Sequence, residues 1–210
     1  MPEPADAADA GSTAYAVLDP CAREVLDCWF GAPDAAVFGT DRKQWFARDH
    51  AFDAMLRERF GTLIDAGIAG RLAAWEATPL GALALIIVLD QFSRNCHRNT
   101  PAAFAGDAAA LRAAQRMVER AADRQLPTAY HRGFAYIPFT HDESLASQHE
   151  SLRLYQLLDA EQIDPSYYRS AVRHARVIER FGRYPHRNAL LGRPSTDEEI
   201  AFLREPGSSF

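Results

Sequence analysis

The sequence predicts an all-α protein of about eight helices, stacked as antiparallel hairpins. Three observations carry that class. Apolar residues recur at three- and four-residue steps through most of the chain. Start and stop residues punctuate those runs at helical lengths. No alternating run long enough for a sheet strand stands out. The chain has no clear fixed-period repeat.

The elements follow in order. Asp19 and Pro20 suit the N-cap and first helical position of a helix through Trp29, which Gly31 ends. Asp41 is expected to cap the second helix, where Trp45, Phe52, Leu56, Phe60 and Ile64 belong to the apolar series and Gly67 and Gly70 break it. Thr78-Pro79 starts a helix apolar on all sides, running to about Asn95, before Thr100-Pro101 interrupts the chain. Another helix spans Asp107 to about Arg124. A segment with Tyr130, Phe134 and Tyr136 then runs up to Pro138, which is expected to close it. His141-Asp142-Glu143 leads into a helix through Leu158, and Asp164-Pro165 opens the next, ended by Gly182. Ser195 to Glu199 reads as a capping signal for a last short helix through Leu203.

The chain has 210 residues, 48% hydrophobic and 24% charged, which fits one soluble domain over 18–210. Residues 1–17, rich in Ala, Asp, Pro and Gly, read as a disordered tail without the basic and apolar regions of a secretory signal. The formal net charge of -5 argues against a general nucleic-acid binder. The apolar window Leu80 to Leu89 falls short of the about 20 residues a membrane helix needs, so no membrane partner and a cytoplasmic location are expected. The three cysteines suggest no disulfide framework, and Cys21 and Cys28, two helical turns apart, are expected to face the core.

Chemistry gathers in three clusters. The apolar helix ends LDQFSRN, carrying Asp90, Gln91, Arg94 and Asn95. Asp90 and Arg94 share a face, acid before base. They read as a structural ion pair or as the lining of a polar cavity, since a buried polar group left unpaired costs about 1–3 kcal/mol. The second cluster, HDESLASQHE, offers His141 with Glu143 or Asp142 as an acid–base pair, or as a helix N-cap with a solvated face, and places Gln148 inside the helix. The third, FGRYPHRN, follows a helix that holds His174 and Arg180, and it adds Arg183, His186, Arg187 and Asn188. Guanidiniums suit carboxylate or phosphate. The phrase FSRNCHRN from Phe92 to Asn99 echoes FGRYPHRN, so the two helix ends either converge on one anion or each caps its own helix. No HExxH, CxxC, P-loop, GxGxxG or GxSxG motif is present, and neither metal nor cofactor is expected.

The strings TPLGALALIIVLDQFSRN, YIPFTHDESLASQ and RFGRYPHRNALLGRPSTDEE, in this order, resemble the signatures of the bacterial domain-of-unknown-function family number 924. The resemblance runs from about Val25 to the C-terminus. It implies a tetratricopeptide-like α-α superhelix and no assigned reaction. The family's characteristic polar residues map onto Asp90, Gln91, Arg94, Asn95, His141, Glu143, Gln148, His174, Arg180, Arg183, His186, Arg187 and Asn188. Ser93 stands where the family usually has Pro, which lets the helix run on, and Asp142 stands where Ser is usual.

The expected function is a small-molecule enzyme or binding protein with one polar pocket between helices. Arg94, Arg183 and Arg187 would hold a carboxylate or phosphate. Asp90 would orient a guanidinium or imidazole, with Asn95 and Asn188 as hydrogen-bond donors. His141 or His186 would act as acid or base with Glu143 as partner. The alternative is a tetratricopeptide-like module whose groove clamps a peptide carboxylate. The oligomeric state is left open.

Overall fold

The structure, a computed structural model, describes residues 14–159 and 163–208. Among them the chain is all helical, with nine α-helices and no strand. These are α1 (Pro20–Phe30), α2 (His50–Ile68), α3 (Pro79–Ile86), α4 (Ser93–Cys96), α5 (Asp107–Glu119), α6 (Ala129–His141), α7 (Leu145–Asp159), α8 (Ser166–Phe181) and α9 (Asp197–Phe202). A π-helical turn, Ile87–Phe92, joins α3 to α4 without a break in the helical path.

The central element is α3 with its π turn. Every residue from Leu80 to Ser93 is buried, as a helix apolar all round requires. It contacts α1, α2, α5 and α6, while α6, α7 and α8 pack in sequence beside it. The core around Trp29 is aromatic. Phe134 meets it edge-on at 5.5 Å, Phe92 at 5.7 Å, and Trp45 stacks at 6.5 Å while its indole N–H donates to the Trp29 carbonyl at 2.8 Å. Such pairs add about 0.5–1.5 kcal/mol each beyond burial.

Several start signals act as read. The Asp19 carboxylate accepts from the Cys21 N–H, and the Thr78 hydroxyl accepts from the Gly81 N–H. Gly182 caps α8 at φ 68°, and Thr196 with Glu199 forms a reciprocal capping box on α9.

Other expectations are corrected. The second helix starts at His50, capped by Asp49 rather than Asp41, because Lys43–Trp45 forms a 3₁₀ turn that tucks Trp45 under Trp29. Gly67 lies inside α2, and the chain turns at Gly70 with φ 74°. The helix from Asp107 ends at Glu119, before left-handed Ala121. Pro138 lies within α6 rather than ending it, since the helix is buried from Gly133 to Thr140 and packing outweighs the lost backbone bond. His141 is therefore the last residue of α6, not the lead-in to α7. Cys21 is exposed, because it falls on the outer face of α1's first turn. Of the expected tail, residues 1–13 lie outside the described residues. Tyr15 is buried, with its hydroxyl 3.3 Å from His131 Nε2.

Gly106 joins the fold to the polar cluster. A Cβ there would lie 2.2 Å from the Leu89 carbonyl oxygen, so only glycine lets the start of α5 lie against the π turn. Gly106→Ala is expected to cost about 1–3 kcal/mol, as small-to-large changes in packed sites do. A urea-unfolding midpoint equal to that of the wild type would refute this.

Candidate functional site

The site is built where the π turn, α5, α6 and the segment after α8 meet. Asp90 is fully buried on the π turn, a helical irregularity that frequently marks functional positions. Its carboxylate accepts from Gln91 Nε2 at 2.5 Å, Arg94 Nη1 at 2.9 Å and His141 Nδ1 at 2.7 Å. Arg94 also faces Asp107, Nη1 to Oδ1 at 2.9 Å and Nη2 to Oδ2 at 3.0 Å. Arg187, after α8, reaches the same Asp107 at 3.4 Å and lies between the rings of Phe104 and Tyr184, at 4.8 and 4.6 Å. Two carboxylates thus answer two guanidiniums.

Burial raises the Asp90 carboxyl, but Arg94, His141 and Gln91 outweigh it and hold it below the usual carboxylate range. An ionised carboxylate only accepts, so His141 Nδ1 carries the proton and donates to it. Burial and Arg94 push the His141 imidazole below its ordinary value despite Asp90. The ring is neutral at pH 7, and no described residue bonds Nε2.

On its other side His141 lines a cavity of about 390 Å³ between α6, α7 and α8. Ile137, Tyr155, Tyr167 and Ala171 supply apolar wall, and His174 lies beside His141 with ring centroids 6.3 Å apart. Burial holds His174 down to about 3, and burial followed by Arg187 holds His186 down to about 4. Tyr184 bridges them, its ring 5.7 Å from His174 and 5.6 Å from His186. Buried Gln148 donates to the Thr140 and Asp142 carbonyls, at 2.9 and 2.7 Å, closing the free end of α6.

The remaining expected residues lie elsewhere. Glu143 does not pair with His141. It accepts both Arg193 Nη groups, at 2.5 and 2.9 Å, and the Tyr184 N–H at 2.8 Å. Arg183 forms a fork with Glu199 at 2.6 and 2.8 Å, and Asn188 Nδ2 donates to Ser195 and to Glu199. The Glu199 pairs clasp α9 onto the end of α8, while Glu143 ties the segment between α8 and α9 to the α6–α7 connection. Arg180 is exposed and pairs with Glu198. Asn95 turns the other way, donating to Asp53, which also takes a fork from Arg98. The echoed phrases are therefore not equivalent: Arg98 serves Asp53, whereas its counterpart Arg187 serves Asp107.

Sequence reasoning missed Asp107, Arg193 and Arg173. Asp107 and Arg193 acquire their roles only from contacts across long sequence separations. Asp107 carried one local signal, an acid in the first turn of a helix. Arg173, at the cavity mouth, lies one residue from His174, and its alignment with Ser166 and Ser170 at helical spacing was readable. Among the described residues, no group of three or more His, Cys, Asp or Glu side chains gathers as a metal site would need, and no helix is long and apolar enough to cross a membrane.

Residues 25–207 match a family described as bacterial protein of unknown function, DUF924. The fold is similar to the solved structure of ATU0120, a protein of unknown function from Agrobacterium tumefaciens. The two are 34% identical with a TM-score of 0.78, over 88% of this chain and 97% of that one. No curated protein matches the chain.

Proposed function

The chain belongs to the DUF924 family of bacterial proteins of unknown function, and from its own geometry we propose a small-molecule enzyme whose general base is His141 Nε2. The observation that carries this is the 2.7 Å bond from His141 Nδ1 to buried Asp90, on a ring that lines the cavity. A carboxylate on one ring nitrogen fixes the tautomer and leaves the other as a bare lone pair. It also stabilises the imidazolium that forms when that lone pair takes a proton. Arg94 keeps Asp90 ionised, and Asp107 and Arg187 balance the charge around it. Asp90 is a positioning residue here, and Glu143 is held by Arg193 and Tyr184. The peptide-clamp alternative is weakened because Arg94 and Arg183 already face carboxylates of this chain.

The ¹⁵N spectrum at pH 7 is expected to show His141 protonated at Nδ1 and bare at Nε2. A proton on Nε2 would sink the reading. Screening the full-length protein against small esters, lactones and phosphoesters is expected to find a turnover that His141→Ala lowers by about 10²–10⁴-fold, the usual contribution of a positioned base.

A further inference from the structure

We infer that this cavity takes an amphipathic anion, an apolar, ring-sized body with one carboxylate-like group, seated with its negative group at Arg173 and its reacting end at His141. The inference rests on the proposed reading of the cavity as the substrate site and adds the class and orientation of the ligand.

The cavity follows α8. Ser166, Ser170 and Arg173 recur at helical spacing on one stripe, and Tyr167, Ala171 and His174 recur on the stripe beside it. Ser166 to His174 spans about 12 Å at the α-helical rise of 1.5 Å per residue. A cavity of about 150 Å³ holds one benzene, so about 390 Å³ suits a body of two fused rings. Phe46, 65% exposed, stands at the cavity with its ring 5.9 Å from Tyr167, presenting an aromatic face that the fold itself leaves uncovered. Tyr167 is buried with a hydroxyl that has no hydrogen-bond partner among the described residues.

Charge sets the orientation. No carboxylate is among the described lining residues, and Arg173 is the one ionised side chain among them. It is exposed and makes no ion pair among the described residues. The inner end is formed by His141 and His174, both held neutral at pH 7. A buried negative group there would find no cation, because Arg94 and Arg187 already face Asp107. The anion therefore belongs at the mouth, and the apolar body along the wall. A cationic ligand would meet Arg173 with nothing to offset the repulsion.

Isothermal titration with 2-naphthoate, 2-naphthylmethanol and 2-naphthylmethylammonium tests this on the full chain, using wild type, Arg173→Gln and Ser170→Trp. Naphthoate is expected to bind about fivefold more tightly than the alcohol, as one partly exposed charge contact allows, and the ammonium most weakly. Arg173→Gln, at an exposed position, is expected to erase that gap while leaving the alcohol unchanged. Ser170→Trp, checked for native circular dichroism, is expected to block all three. If the alcohol and naphthoate bind equally in wild type and Ser170→Trp blocks both, the anion assignment falls and the cavity reading stands. If Arg173→Gln leaves the gap intact, the orientation falls. If no probe binds, both the ligand class and the cavity reading fall.

Discussion

Lowering the pH from 7 to 5 is expected to destabilise the protein by on the order of 5 kcal/mol, before most carboxylates titrate. Burial, the largest cause in each case, holds His131 down to about 3, His174 to about 3 and His186 to about 4. In the unfolded chain the same rings take protons near the ordinary value of about 6.5. Between pH 6.5 and about 4 the unfolded state thus binds more protons than the folded one, and stability falls as pH falls. Each histidine contributes about 2 kcal/mol of that loss at pH 5. Below about 4.5 the depressed carboxyls of Asp90, Glu143 and Glu199, the last at about 2, add their own losses. Burial raises Asp107, which works the other way. Urea midpoints at pH 7 and pH 5 measure the effect. His131→Gln removes a fully buried ring stacked on Phe30 at 4.0 Å and is expected to flatten the pH slope by about a third. A midpoint that does not move between pH 7 and 5 would contradict the neutral histidines altogether.

Asp90→Asn is expected to cost about 3–5 kcal/mol, the usual result of removing one partner from a buried ion pair. The change keeps shape and volume, so the loss is one of charge and of one of the two oxygens that accept from Gln91, Arg94 and His141. Arg94 would retain Asp107, but four groups that sum to zero, Asp90, Asp107, Arg94 and Arg187, would then carry a net positive charge in a buried site. At about 2–4 °C per kcal/mol for a chain of this size, the melting temperature is expected to fall by roughly 10 °C. A double-mutant cycle with Arg94→Gln is expected to give a coupling above about 1 kcal/mol, because the two side chains touch. A loss below about 1 kcal/mol for the single variant would show that Asp90 is not the ionised centre of the cluster.

Much of the fold was legible locally. Asp19-Pro20, Thr78-Pro79, Gly182 and the Thr196–Glu199 box are short-range signals whose chemistry acts within one helical turn. The apolar window ending in Asp90 announced a buried helix with polar groups at its end, and Asp90 accepts from both a guanidinium and an imidazole. What failed depended on distant partners. Glu143 lies two residues from His141 in sequence, yet α6 ends between them. The imidazole turns back toward the π turn while the carboxylate turns out to Arg193. Similarly, Arg183 and Arg187 look alike in sequence, but the half-exposed Arg183 faces the buried Glu199 of α9, whereas the buried Arg187 faces the half-buried Asp107. Pro138 misled because propensity weighs a lost backbone bond but not the packing that keeps the helix running.

Arg187 meets Asp107 across 80 residues. On the ribosome, then, the acids of this cluster emerge long before their second counter-charge. A nascent chain ending ahead of Arg187 holds Asp90 and Asp107 against Arg94 alone, with one surplus negative charge that resists being enclosed. Closure must therefore wait until Arg187 has emerged, and a product released ahead of it is betrayed by an interior that stays wet.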